Sequence, residues 1–336
     1  MVAAGALGAC STAPQGLPPV AVVAAGETTP VGTMNEDAAD DPAIWRNAAD
    51  PTASLIVATD KKGGLYVYNL DGEIRSFLDY GVGLNNVDLL TLPDGRVIVA
   101  ASDRSDLAMV HILLAELDTA AGTLTQIVRI PVGPGEGYGI CKGAVNDDGS
   151  FVIYNAPKEG AIYRTDLHYI NGQWTYRTET LQQVPSQPEG CIYDERTGTL
   201  YIGEEVGGIW AMPGEGAIGD KVMVAPVDNQ HIVADLEGLA IAPQGDVGGY
   251  LVGSSQGDNA YAVFRLPTME PLGRFRIAEG TFGATQETDG IELVAQPMGP
   301  DFPAGLFVAQ DGQNGAEAQN FKLVSWADVL TALKLH

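Results

Sequence analysis

Six carboxylates, Asp40, Asp88, Glu136, Glu189, Glu237 and Asp289, each precede a short apolar run, and they follow one another at spacings of 48, 48, 53, 48 and 52 residues. A second series runs in step with the first: Leu55-Ile-Val-Ala-Thr-Asp60, Val97-Ile-Val-Ala-Ala-Ser102, Phe151-Val-Ile-Tyr-Asn155, Leu200-Tyr-Ile-Gly-Glu204, Tyr250-Leu-Val-Gly-Ser254 and Gly305-Leu-Phe-Val-Ala-Gln310. A third follows at once, from Leu65-Tyr-Val-Tyr68 through to Phe321-Lys-Leu-Val324. Runs this short, rich in Val, Ile and Tyr and bounded by Gly, Asp and Asn, are strands. Only Val324 to Leu335 carries a helical period. Six units of three clear strands and a fainter fourth, about 50 residues each, predict an all-β fold, a six-bladed β-propeller of four-stranded antiparallel blades. A sandwich or two separate domains would supply strands without a sixfold phase.

Six acidic blade starts around one axis amount to a ring of carboxylates. Asp37, Asp40 and Asp41 crowd the first of them, and groups so close repel one another unless a cation lies between them; hard oxygen ligands of this kind suit Ca²⁺. With 18 Lys+Arg against 43 Asp+Glu, the net charge of −25 argues against nucleic acid or an anionic membrane surface as partner. An anionic substrate would need focused cations. The second-strand ends supply them in the first three units, as Asp60-Lys61-Lys62, Asp103-Arg104 and Lys158-Glu159, and supply oxygen ligands in the last three, as Glu204-Glu205, Ser255-Gln256 and Gln310-Asp311-Gly-Gln-Asn314. Any one of these lysines alone reads as a solvated loop charge; their common place in the repeat points to a shared pocket.

Residues 1–10 are small and apolar and end in Leu7-Gly8-Ala9-Cys10, a lipoprotein-type box with Cys10 as the residue to be lipidated, although a basic n-region is missing. Residues 11–26, rich in Pro, Ala and Gly, read as a tether, so the chain divides into a signal and tether over 1–26 and a propeller over 27–336. The protein is then expected to be exported, as a periplasmic, outer-membrane or secreted monomer that meets a membrane only through that anchor. Cys141 and Cys191 are left either as a disulfide or as two buried thiols.

The chain resembles the β-propeller phytases, calcium-dependent phosphatases of the bacterial 3-phytase type. The likeness runs from about Glu27 to Trp326 and rests on Asp37-Ala-Ala-Asp-Asp-Pro-Ala-Ile-Trp45 and Asn85-Asn-Val-Asp88, supported by Asp60-Lys-Lys-Gly63, Glu204-Glu205, Asp235-Leu-Glu-Gly238, Ser254-Ser-Gln-Gly257 and Thr288-Asp-Gly-Ile291. The resemblance implies a six-bladed propeller that hydrolyses phytate, taken as its calcium complex, by means of a calcium-held water. It also implies calcium ligands among Glu27, Asp40, Asp41, Tyr138, Glu189, Glu205, Asp235, Glu237, Gln256, Asp289, Asp311 and Asn314, and phosphate contacts from Lys61, Lys62, Arg104, Lys158 and Tyr138. Glu189, Glu205 and Asp289 would orient the water, and Tyr138 replaces Glu136 as the functional residue of the third blade. Two positions depart from the family pattern. Leu90 stands where an Arg is common, and the stretch around Gly283 lacks a further Asp.

Other phosphatase chemistries fail on the residues. There is no Arg-His-Gly, and the positions six after the cysteines are Gly16, Asp147 and Thr197 rather than Arg. Gly253-Ser-Ser-Gln-Gly257 fits the serine-hydrolase pattern, but a turn and strand follow it where a helix is required. Two alternatives stay open: a calcium-dependent lactonase-type propeller, which has little use for paired lysines, and a non-catalytic binding propeller.

Overall fold

A strand sandwiched between two neighbouring sheets must be apolar on both faces, and the second-strand runs are. In a computed structural model of the chain, which describes residues 16–81, 83–215 and 220–335, Ile56 and Ala58 pack toward the last blade while Leu55 and Val57 pack toward the second. Among the described residues the strands form six sheets. The first blade is Ala39–Trp45, Leu55–Asp60, Gly64–Asn69 and Ile74–Asp79, each strand antiparallel to the one before. The second to fifth repeat this order, with innermost strands Leu84–Thr91, Gly139–Val145, Pro188–Asp194 and Leu236–Gln244. The sixth holds Ile291–Val294, Leu306–Asp311 and Asn320–Ser325, and takes its outer strand, Gly26–Glu27, from the other end of the chain. The innermost strands touch in sequence around the ring, and the sixth meets the first. The expected six-bladed propeller is the observed fold.

The N-terminal boundary differs from the expected one. Val20–Val23 adds a parallel fifth strand to the outer edge of the fifth blade, from Val20 opposite Phe275 to Val23 opposite Ala278. Ahead of it, the Gly16 N–H donates to Asp258 Oδ2 at 2.8 Å and the buried Arg274 donates to the Leu17 carbonyl at 2.8 Å. Residues 16–26 therefore belong to the propeller rather than to a tether. Their Pro and Ala content suggested a linker, but Val-Ala-Val-Val covers a sheet edge that would otherwise be open. Cys10 lies outside the described residues.

The helix runs over Trp326–Leu333, two residues shorter at each end than expected. Val324 and Ser325 are held back in the last strand opposite Phe307 and Leu306. Cys141 and Cys191 form a disulfide joining the innermost strands of blades three and four, with Cα atoms 5.5 Å apart.

Candidate active site

Antiparallel pairing places the start of each innermost strand beside the end of the second strand, as in Ala39 opposite Asp60, Leu84 opposite Asp103 and Pro188 opposite Glu204. Both loop series therefore reach the same mouth of the channel. There, four blades carry the same irregularity: two residues of the innermost strand oppose one residue of the second. These pairs are Asp40-Asp41, Asn85-Asn86, Glu189-Gly190 and Glu237-Gly238. Such a bulge re-aims a side chain out of the sheet, here toward the axis. The strands then approach so closely that a Cβ on Gly190 would lie 2.3 Å from the Glu237 carbonyl oxygen, and one on Gly290 would lie 2.3 Å from Asp41 Oδ1. The acid-Gly pairs of the sequence are the imprint of this approach.

The resulting arrangement is only partly a ring of acids. Asp40, Glu189 and Asp289 bring carboxylate oxygens within 4.8 Å of one another, and Glu189, Glu205 and Glu237 do the same, with Glu189 common to both groups. In the second blade the bulge falls on Asn85-Asn86, so Asn85 takes the mouth position expected of Asp88. Its amide donates to Asp40 Oδ2 at 2.8 Å and to Glu189 Oε1 at 3.0 Å. Tyr138 is the third-blade residue at this end, beside the cavity of about 810 Å³ that Glu205, Asp235, Glu237, Gln256 and Asp289 also line.

Burial, followed by the neighbouring carboxylates, pushes Glu189, Glu237 and Asp289 well above the usual carboxylate range. Glu189 Oε2 and Glu237 Oε2 are buried without a hydrogen-bond partner. Partnerless buried carboxylate oxygens in two adjoining groups fit a hard divalent cation. One side-chain cation already enters the first group: Lys61 Nζ lies 2.9 Å from Asp37, 3.0 Å from Asp40 and 3.3 Å from Asp289. Burial opposes its charge, but those three acids outweigh burial and hold the ammonium above its ordinary value.

Beside the acids stands a cationic rim. Arg104 Nε and Lys158 Nζ each lie 3.2 Å from Glu136 Oε1, and Arg104 Nη1 donates to Asn85 Oδ1 at 2.6 Å. Lys158 Nζ sits 4.6 Å and the Arg104 guanidinium 5.5 Å from the centre of the Tyr138 ring. Burial, with Glu189 and Asp40 nearby, raises the Tyr138 hydroxyl far above its ordinary value, so it stays a neutral donor. Both third-blade candidates thus have a place, since Tyr138 faces the carboxylates while Glu136 clasps the cations.

Several expected residues stand elsewhere. Lys62 is on the outer rim, its ammonium 3.9 Å from Glu36. Asp41, the second residue of its bulge, joins neither carboxylate group; its Oδ2 accepts the Val87 N–H at 3.0 Å lower in the channel. Glu27 and Asp311 surround Lys322 instead, together with Asn314, which also lines the mouth cavity. Leu90 is buried between blades two and three with Ile98 and Phe151, so its departure from the family pattern concerns packing and not the pocket. Two residues beyond the expected set hold the site together, Asn85 and Glu136. Asn85 was visible as part of its motif, and Glu136 as a member of the repeat.

A family profile described as Phytase matches residues 3–335. The chain belongs to the phytase family. Within curated proteins it is 38% identical over 330 residues, 92% of this chain and 84% of the relative, to the 3-phytase of Bacillus subtilis (strain 168). A solved chain described as "Crystal Structure of Mitotic Checkpoint Complex" is 14% identical, covers 98% of this chain and 87% of its own, and superposes with a TM-score of 0.47, too low to carry any argument.

At the other end of the channel, Lys142 Nζ lies 3.4 Å from Asp88 Oδ1, and burial pushes nearby Glu292 up to about 8, with Lys142 lowering it and Asp88 raising it. The folded value exceeds the ordinary 4.5, so between those two values the folded chain holds a proton that the unfolded chain has lost, and stability falls as pH rises through that window. Glu292→Gln should flatten this dependence, raising the melting temperature at pH 9 relative to wild type by about 2 °C, roughly 1 kcal/mol, with little change at pH 5. Parallel melting curves for the two proteins across that range would contradict it.

Proposed function

We propose that this chain is a calcium-dependent phosphomonoesterase that removes phosphate from phytate, taken as its calcium complex. The observation that carries this reading is the meeting, in one pocket, of two adjoining carboxylate groups, with Glu189 Oε2 and Glu237 Oε2 left without a hydrogen-bond partner, and the Arg104–Lys158–Tyr138 rim. Calcium held by Asp40, Glu189 and Asp289 and by Glu189, Glu205 and Glu237, with Asp235 and Gln256 beside them, would neutralise phosphate oxygens and make a bound water more acidic.

The protein's own groups account for the rest. Arg104, fixed on one side by Asn85 and Glu136, presents its remaining N–H groups in a rigid fork suited to phosphate oxygens. Lys158 adds a point charge, and Tyr138 a neutral hydroxyl that can donate. Glu189 Oε2, buried and partnerless, is placed to accept a proton from the attacking water, with Glu205 and Asp289 orienting it. Water oxygen bonds to phosphorus, the ester P–O bond breaks, and a proton returns to the inositol oxygen, so no protein nucleophile is required. Lys62, out on the rim, is available for a neighbouring phosphate of the same substrate.

The same reading has the protein exported and monomeric, and the disulfide supports an oxidising compartment. Among the described residues no helix is long and apolar enough to cross a membrane; attachment through a lipid on Cys10 is part of the same reading. Assaying phosphate release from calcium phytate in parallel with hydrolysis of a lactone separates the readings. Phosphate release alone is expected. Lactone opening alone would replace the phytase reading by the lactonase one, and phytate binding without release would replace it by the binding propeller.

A further inference from the structure

Lys322 is fully buried in the last blade, in the strand that pairs with the N-terminal outer strand, directly opposite Glu27. Its ammonium donates to Glu27 Oε2, to Asn320 Oδ1 at 3.0 Å and to Asn314 Oδ1 at 3.3 Å, and lies 3.2 Å from Asp311 Oδ2. An ammonium has three N–H groups, and here four oxygens take them up. The oxygens are committed on their other sides as well. Asp311 Oδ1 accepts the backbone N–H groups of Gln286 at 3.1 Å and Gln313 at 3.2 Å. The Asn314 amide donates to the Ala318 carbonyl at 3.0 Å and the Asn320 amide to the Thr28 carbonyl at 3.2 Å. Gly283 lies over the ammonium, its Cβ position 3.6 Å from Nζ, and brings no further carboxylate.

We propose that Lys322 is the resident cation of the ring closure. Its ammonium occupies the oxygen cage that a calcium ion would need, and it stitches Glu27 at the start of the chain to Asp311 and Asn314 at the end. Calcium binds oxygens at about 2.3–2.6 Å, so an ion sharing these ligands would lie in contact with a buried like charge; at the mouth Lys61 takes up Asp40 and Asp289 but leaves Glu189 Oε2 without a partner, whereas here all four side chains contact the ammonium. Glu27, Asp311 and Asn314 are therefore not metal ligands in this chain, in contrast to the mouth, where Glu189 Oε2 and Glu237 Oε2 have no hydrogen-bond partner. The ring is closed by a covalently attached cation that chelators cannot remove.

The test is Glu27→Gln, with bound calcium counted by equilibrium dialysis and melting followed in calcium and in chelator. The variant should bind as many ions as wild type and melt several degrees lower by the same amount in both conditions. Loss of one ion, or a deficit seen only in calcium, would overturn the proposal. Anomalous scattering from wild-type crystals grown with terbium decides the matter without a variant. Peaks should appear at the mouth and none within coordination distance of the Glu27 and Asp311 carboxylates; a peak between those two would sink the idea.

Discussion

Chelating calcium should lower the melting temperature by on the order of 10 °C. Asp40, Glu189, Glu237 and Asp289 are buried at the channel mouth, and burial and mutual repulsion push the last three well above the usual carboxylate range. An ion bound to the folded state alone stabilises it by about 2.7 kcal/mol at a concentration a hundredfold above its dissociation constant. Two such sites contribute about 5 kcal/mol, and roughly 2 °C per kcal/mol applies to a chain of this size. The chelated protein should also lose stability as pH rises above the ordinary carboxylate range, because acids with raised folded-state values ionise first in the unfolded chain. Calcium should flatten that slope. Identical melting curves with and without chelator would show that Lys61 and shared protons alone neutralise the mouth.

Arg104→Ala should reduce phosphate release by about 10²–10³-fold while the melting temperature moves little, the range expected when a fixed donor to a charged transition state is removed. The side chain is part-exposed and its partners, Glu136 and Asn85, keep other contacts, Glu136 to Lys158 and Asn85 to Asp40 and Glu189. Arg104→Lys should recover only a small part of the activity, because an ammonium cannot hold Asn85 Oδ1 and still present a flat fork to phosphate. Near-normal turnover in the alanine variant would remove the cationic rim from the substrate pocket.

The propeller was legible because its strands are buried on both faces, which writes unbroken apolar runs at a fixed period; the second-strand series located the blades almost to the residue. The mouth was legible in part. Counting carboxylates selected Asp88 in the second blade, whereas position relative to the bulge selects Asn85, and only pairing with the second strand reveals where a bulge falls. Asp40 and Asp41 look equivalent in sequence, yet adjacent residues of an extended strand diverge, and only Asp40 reaches the cluster. The N-terminal strand and Lys322 were hidden by distance along the chain: Val20 finds Phe275, and a lysine that would read as a solvated strand position finds Glu27 at the opposite end.

The most direct measurement is phosphate release from phytate by the purified full chain in calcium, after chelation, and after calcium is restored. Phosphate should be released in the first condition, abolished in the second and regained in the third. Release that survives chelation would contradict the carboxylate groups as the seat of catalysis, and the absence of release at any calcium concentration would contradict the assignment of this mouth as a phytase active site.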